Sequence, residues 1–450
     1  MDIIEQAKLF AIKAHEGQKR KSDKEKPMII HPINVANFLE QYNFDDNVVA
    51  AGYLHDVVED TKYTLEDIKE LFGSDIASLV EGASEPNKKL SWEVRKQHTI
   101  DTIKNMDIRH KAIVCADKIS NLEDLRIISE IKGSYDYSSF KRGFESQKWY
   151  FTELYNSLIY NEDENLEMFV RLKKLVDYIF YDKRDKYVSD VIFKDKSEEY
   201  KKLTKIHYQK QELFKLKEVL EPSPYVIEFT GTPRTGKTTL INNLYDFFKK
   251  AGFKVEIIEE FTTSKKYKQD IYPLLKDQEK KIINTEIPKY VLKDLEDILN
   301  NKPDIIIVDR SLFDRLIWID RLYLKSGITK EEYEEYKNTF IPIIKDKIDI
   351  VLATYTDSLT SIKRDYNANL SLEKRTFLNE KNVNEYNKSL LNMSKLSKKE
   401  DINFYLFDTT NKNQREISFD VVDTIIKDMR KKYINELNDD KSLIKKKKTS

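Results

Sequence analysis

Thiols are almost missing from this chain. A single cysteine, Cys115, in 450 residues excludes an internal disulfide and any zinc site built from several thiolates, and it fits a reducing compartment. Net charge is missing too: Lys+Arg and Asp+Glu both count 78. That balance gives no global support for a nucleic-acid binder, which shows a basic excess. No run approaches about 18 apolar residues, so no membrane-spanning helix is expected. The start, Met-Asp-Ile-Ile-Glu-Gln, has no basic segment followed by an apolar core, so no signal peptide is expected and the location is read as cytoplasmic. From 197 to 220 both glycine and proline are absent, which favours an exposed helix.

What is present points to more than one domain. The length suggests about two to three, and 40% hydrophobic residues suffice for real cores. The six histidines are distributed unevenly: His15, His31, His55, His98 and His110 all precede residue 111. The glycine pattern of phosphate binding lies past residue 230 instead. Two chemistries mark two domains.

The first half is organised around 50–61, Ala-Ala-Gly-Tyr-Leu-His-Asp-Val-Val-Glu-Asp-Thr. Its apolar start reads as a buried helix, on which residues four apart share a face, so His55 should sit above Glu59 and Asp56 above Asp60. Four ionisable groups on an apolar helix are costly to bury unpaired. A His-Asp pair at a helix surface would explain two of them, and a bound cation would explain more. Asp117 is a second oddity, a carboxylate within Ala-Ile-Val-Cys-Ala-Asp-Lys. Together His31, His55, Asp56 and Asp117 offer two imidazoles, two carboxylates and no thiolate, a set suited to manganese, iron, magnesium or zinc. Around them, helices are expected at 2–15, 33–41, 64–72 (ending at Gly73), 76–82, from Ser91, 108–131 and across 138–180. No convincing strand appears, so the domain reads as all-α.

The series His-x-Gly-Gln-x-Arg-Lys (15–21), His31-Pro32-x-x-Val35-Ala36, His55-Asp56-x-x-Glu59-Asp60-Thr61, Phe72-Gly73 and Ala116-Asp117-Lys118-x-x-Asn121-Leu122 resembles the HD-domain alarmone hydrolases of the RelA/SpoT type, above all their small stand-alone members. The resemblance covers roughly 1–160. It implies the helical HD fold and manganese-dependent (or other divalent-cation) removal of the 3′-pyrophosphate from (p)ppGpp. By position, it implies that His31, His55, Asp56 and Asp117 hold the metal. Glu59 and Asp60 would orient and deprotonate the attacking water, while Arg20, Lys21, Lys118 and Asn121 would meet phosphates and ribose. The sequence departs from that family's pattern at Met28, where Pro-Tyr-Ile is usual, and at Ser22–Lys26, which lacks the usual glycine. Both positions bear on the base pocket.

Residues 181–222 read as a charged helical connector, closed by Glu221-Pro222-Ser223-Pro224. The second domain, 223–435, opens with a strand, Tyr225–Thr230. The loop Gly231-Thr232-Pro233-Arg234-Thr235-Gly236-Lys237-Thr238-Thr239 follows, and then a helix. Strand, Gly-x-x-x-x-Gly-Lys-Thr, helix is the phosphate-binding loop in the context that confirms it. Its amides and helix N-terminus favour anions. Lys237 would reach the β- and γ-phosphates of ATP or GTP, and Thr238 would ligate magnesium. Further strands at Lys254–Ile258, Asp304–Val308, Asp349–Ala353 and Asn403–Phe407 predict a doubly wound parallel sheet of about five strands. Glu259, Glu260, Asp309 and Arg310 then fall at strand C-terminal ends, where ligands collect. This half is similar to P-loop nucleoside and nucleotide kinases of the thymidylate-kinase and deoxynucleoside-kinase group. The likeness implies that Glu259 or Glu260 serves the acceptor, Asp309 the magnesium and Arg310 a phosphate. Arg364 and Arg375 stand where a lid could carry arginines.

The chain from 436 reads as a basic tail. The expected whole is an all-α HD domain (1–180) joined to an α/β P-loop domain, acting on small-molecule nucleotides, with no specific nucleic acid or membrane partner. Two other readings stay open: an HD enzyme that hydrolyses (d)NTPs, and a hydrolase gated by a non-catalytic P-loop sensor. Oligomeric state is not legible.

Overall fold

The computed structural model describes residues 2–20, 26–85, 89–132, 142–181, 198–260, 280–369 and 378–439. The chain divides into two compact units, Met1–Val219 with Ile434–Ser450, and Leu220–Tyr433.

The first unit is helical. Asp2 caps α1 (Ile3–Ala14) by accepting from Glu5 N, and the stripe through Ala7 and Ala11 is buried. Helix α2 (Ile30–Gln41) starts earlier than the proline suggested, with Pro32 inside its first turn, where a missing N–H costs nothing. Asp45 caps α3 (Asp46–Leu54), whose residues from Val48 onward are all buried. A Cβ on Gly52 would lie 2.6 Å from Leu39 Cδ1 and 3.3 Å from Ala36 Cα, so glycine permits the close α2–α3 approach.

The central helix is not continuous, as the spacing predicted. It stops at Leu54 and resumes as one turn, α4 (Val57–Asp60). The cause is local. His55 Nδ1 donates to the Gly52 carbonyl at 2.8 Å, the group that a continuing helix would pair with the Asp56 N–H. His55 and Asp56 keep right-handed helical backbone angles across the break, and Asp60 N still bonds Asp56 O at 2.9 Å.

A capping box between Thr64 and Asp67 opens α5 (Leu65–Phe72), and Gly73, at φ 90°, ends it. Then come α6 (Ser74–Ala83), α7 (Trp92–Lys104, capped by Ser91), α8 (Ile108–Lys132), α9 (Phe144–Leu158) and α10 (Glu167–Phe180). Val35, Leu39, Ala50, Leu54, Ala112, Ala116 and Ile119 form part of one core. Among the described residues the unit holds no strand beyond an isolated bridge between Lys19 and Pro27. Helix α11 (Glu198–Leu220) departs from the exposed helix expected: Ile206, Leu213 and Leu216 are buried.

The second unit is a five-stranded, all-parallel sheet in the order β2-β3-β1-β4-β5. The strands are β1 (Tyr225–Gly231), β2 (Val255–Ile258), β3 (Ile305–Asp309), β4 (Ile350–Tyr355) and β5 (Phe404–Asp408). The central ones, β1, β3 and β4, are almost wholly buried, as strands covered on both faces must be. Edge strands β2 and β5 are partly exposed. Helices α12 (Lys237–Lys249), α13 (Lys280–Leu299), α14 (Leu312–Leu324), α15 (Lys330–Lys347), α16 (Ser358–Asn369), α17 (Glu380–Lys399) and α18 (Gln414–Asp439) complete the described elements. A fully buried carboxylate in β1, Glu228, has a clear use. It accepts from Ser311 N, Ser311 Oγ, Phe313 N and Asp314 N, which satisfies the orphan amides at the start of α14. No described helix is long and apolar enough to cross a membrane.

Candidate metal centre and phosphate-binding loop

Four side chains from three distant stretches meet in the first unit. His31 Nε2 lies 3.1 Å from Asp117 Oδ1 and 3.5 Å from Asp56 Oδ2. His55 Nε2 lies 3.4 Å from Asp56 Oδ1 and 4.0 Å from Asp117 Oδ1. The two Nε2 atoms face each other at 3.3 Å. A carbonyl only accepts, so His55 carries a proton on Nδ1, toward Gly52, and turns Nε2 toward the other three side chains. His31 is anchored the same way, Nδ1 to Ser120 Oγ at 2.9 Å. Two imidazoles turned toward one point, with two carboxylates beside them, fit a divalent cation, and each ring is oriented by a second partner. His31, His55 and Asp117 each bring a donor atom within 4.8 Å of the others.

In the second unit the loop 231–239 turns from β1 into α12. Gly231, at φ 128°, has Thr354 O only 2.0 Å from where a Cβ would stand, and Gly236, at φ 86°, has Gln414 Oε1 at 2.4 Å. At Gly231 the obstacle is backbone and no side chain fits; at Gly236 it is a movable side-chain end, and the left-handed backbone is what favours glycine. Thr232 Oγ1 donates to Asn387, Thr235 Oγ1 donates to Thr232 O, and Arg234 is paired with Asp365. The carbonyl of Pro233 accepts from Ser361 Oγ. Thr238 and Thr239 are exposed. Lys237 Nζ bends back onto the carbonyls of Gly231 and Thr232, at 3.2 and 2.9 Å.

Sequence comparison matches residues 7–133 to the HD domain family and residues 226–402 to an AAA domain family. The chain joins an HD domain to a P-loop AAA domain. Its HD segment is 39% identical over 120 residues to the guanosine-3′,5′-bis(diphosphate) 3′-pyrophosphohydrolase MESH1 of Drosophila melanogaster, covering 26% of this chain and 66% of that protein. It is 39% identical over 128 residues to the bifunctional (p)ppGpp synthase/hydrolase SpoT of Escherichia coli K12, covering 27% of this chain and 18% of that protein. The chain thus spans a minor part of its bacterial relatives' length. Among solved structures, deoxyadenosine kinase from M. mycoides is similar at 18% identity with a TM-score of 0.32, covering 45% of this chain and 99% of that one.

The HD centre opens on a cavity of about 710 Å³ lined by His31, His55, Asp56, Glu59, Asp60 and Asp117, and by the cations Lys19, Arg20, Arg95, Lys96 and Lys118. Burial pushes the Asp117 carboxyl up, but the adjacent Lys118 ammonium and the His31 hydrogen bond outweigh it and hold it well below the usual range. Burial, with the Arg20 charge, lowers the His31 pKa, which keeps the ring neutral and able to ligate. Burial raises Glu59, against the hydrogen bond it accepts from Glu85 N.

Of the substrate-binding residues expected from sequence, Arg20, Lys118 and Asn121 line the cavity, whereas Lys21 lies outside the described residues. Asn121 Nδ2 donates to Asp117 Oδ1 at 2.6 Å, and Arg20 Nη2 bonds Asn121 Oδ1 and Asp124 Oδ2. Lys26 also reaches Asp124, at 2.7 Å.

Sequence reasoning missed Glu85, Arg95, Lys96 and Asp124 at the cavity wall, and Lys26, which pairs with Asp124. It weighed Trp149 and Tyr150 as closing the pocket and set both aside as core aromatics. Helical spacing held a signal for Asp124: Asp117, Asn121 and Asp124 share a face of α8. Arg95 and Lys96, both tied to Glu85, read as an ordinary charge pair on α7. Of the two aromatics at 149–150, Tyr150 lines the cavity, whereas Trp149 is partly exposed and packs on Trp92.

In the AAA domain, Asp309 ends β3 with Oδ1 buried and without a hydrogen-bond partner, an orphan that suits a cation. Burial, with the Arg310 charge beside it, lowers Lys237 to about 7. Of the two glutamates after β2, Glu259 is exposed, while Glu260 Oε1 stands 3.8 Å from Arg310 Nε. Arg310 is more constrained than a phosphate-seeking arginine was expected to be. It donates to Gly231 O at 2.8 Å and to Asp314 Oδ1 at 3.0 Å. Arg364 is likewise held, by Thr409, and Arg375 lies outside the described residues.

Proposed function

We propose that the HD domain hydrolyses (p)ppGpp at its 3′-pyrophosphate, giving GDP or GTP and pyrophosphate. The observation that carries this reading is the convergence of His31, His55, Asp56 and Asp117 at the wall of a cavity that also presents five cationic side chains. Those cations suit a polyphosphate, and the Glu85 and Asp124 carboxylates on the same wall, which pair with Arg95, Lys96 and Arg20, hold three of them in place. The named relatives supply the base and the scissile group.

Manganese is the cation proposed for the four ligands; when bound, it supplies Lewis acidity to a phosphoryl oxygen and lowers the pKa of water. The protein's own groups do the rest. Glu59 and Asp60 orient the attacking water and take its proton. The water oxygen bonds to the phosphorus, the bond from that phosphorus to the ribose 3′ oxygen breaks, and the leaving oxygen gains a proton to balance the one removed. Arg20 and Lys118 meet the phosphates, with Asn121 at the ribose, and the other wall cations hold the second polyphosphate arm.

The AAA domain binds ATP or GTP with magnesium at residues 231–239 and Asp309, and transfers phosphate to a nucleoside or nucleotide that Glu260 and Arg310 approach. Incubation with manganese and a nucleotide panel, with products resolved by anion exchange, tests the hydrolase. Pyrophosphate and GDP from ppGpp support it, and Asp56→Ala should abolish them. Triphosphate released from dNTPs instead, or no reaction with any of manganese, magnesium, iron and zinc, overturns it.

A further inference from the structure

Helix α4, Val57–Asp60, is a single turn of four residues. A lone turn has too few hydrogen bonds to hold its own shape, yet it follows Asp56 directly and carries Glu59 and Asp60 into the cavity. Val57 O accepts from Thr61 N and Thr61 Oγ1, and the carbonyls after it lie past the last helical hydrogen bond. One of them, Asp60 O, is taken from a distance: Gln18 Nε2 donates to it at 2.8 Å across 42 positions of sequence. Gln18 is in turn fixed. Its Oε1 lies 2.9 Å from His15 Nδ1, and an amide oxygen only accepts, so His15 bears its proton on Nδ1. His15 is buried, 2% exposed, and sits just past the end of α1. The amide of Gln18 is therefore set with its donor end toward α4.

We propose that His15 and Gln18 are positioning residues for the hydrolytic reaction: through the Asp60 carbonyl they hold the turn that presents Glu59 and Asp60 to the substrate. The inference rests on the (p)ppGpp-hydrolase reading. Gln18 also lines the cavity, but its amide nitrogen is spent on the Asp60 carbonyl, so the role assigned to both residues runs through α4. One neutral hydrogen bond aligns the turn, so Gln18→Ala should lower kcat about five- to tenfold with KM within about twofold.

Two measurements test this on the full chain. Hydrogen exchange of the amides at 57–61 reads the turn without reference to activity: Gln18→Ala should exchange faster there, with the rest of the HD domain unchanged. Pyrophosphate release from ppGpp with manganese then compares His15→Asn, whose amide can replace the Nδ1 donor, with His15→Phe, which keeps bulk but no donor. His15→Asn should retain kcat and His15→Phe should lose it as Gln18→Ala does. Faster exchange at 57–61 with an inactive wild type overturns the hydrolase reading and with it the catalytic role, while leaving the tether observed. An active wild type with unchanged exchange in Gln18→Ala, or equal kcat in His15→Phe and wild type, overturns the positioning role alone.

Discussion

Replacing Asp314 with asparagine should destabilise the AAA domain sharply, although the two side chains match in shape. Asp314 is fully buried. Its Oδ1 accepts from Thr230 Oγ1 at 2.6 Å, Tyr386 Oη at 2.9 Å and Arg310 Nη1 at 3.0 Å. Its Oδ2 accepts from Arg315 Nη2 at 2.6 Å and Trp318 Nε1 at 3.1 Å. An asparagine amide has one acceptor where this site uses two, so its NH2 must face a row of donors, and two buried guanidinium groups lose their shared counter-charge. Breaking a buried pair in this way costs about 3–5 kcal/mol. The lower end applies here, because Glu260 still stands 3.8 Å from Arg310. For a unit of about 200 residues each kcal/mol moves the melting point by about 2–4 °C, so a loss of about 6–12 °C is expected in the AAA-domain transition by scanning calorimetry. The sign with pH follows. Burial alone would raise the Asp314 pKa, but Arg310 and Arg315 hold it far below the usual range. Its stabilisation is thus present above the unfolded value of about 4 and fades as pH falls toward the folded one. Equal melting points for wild type and Asp314→Asn at pH 7 would refute the account of this hub.

Three further outcomes are expected. Gly231→Ala should abolish ATP-analogue binding measured by fluorescence, since the new methyl would stand 2.0 Å from Thr354 O at a φ of 128° that alanine resists; binding within twofold of wild type would contradict this. Arg109 bridges Asp45 and Asp75 at the starts of α3 and α6, but both carboxylates are about half exposed. Arg109→Ala should therefore cost under about 1 kcal/mol in urea unfolding, and less in high salt. Because burial raises Glu59, the acid limb of the kcat profile for ppGpp hydrolysis should fall at a higher pH than an ordinary carboxylate would give; Glu59→Gln should remove that limb together with most of the activity.

Much of this protein was readable from local pattern. A period-3.6 stripe marked α1, and Ser91 and Gly73 marked helix ends. The P-loop was readable because its function resides in backbone geometry that Gly231 and Gly236 alone permit, so one short stretch of sequence encodes it. The four candidate ligands stood out as polar groups in apolar company, which signals a partner without saying where it lies. Three-dimensional packing supplied the rest. The helix breaks at His55 because its own side chain claims the Gly52 carbonyl, a competition that a hydrophobic pattern does not encode. Glu228 caps α14 across 83 positions, and Gln18 reaches Asp60 across 42. Arg310 is held by Asp314 and the Gly231 carbonyl more tightly than its place at a strand end suggested. Periodicity is a property of neighbours in the chain, whereas a buried charge chooses its partner among neighbours in space. Folding alone selects that partner, by removing water and leaving each buried donor and acceptor to find another.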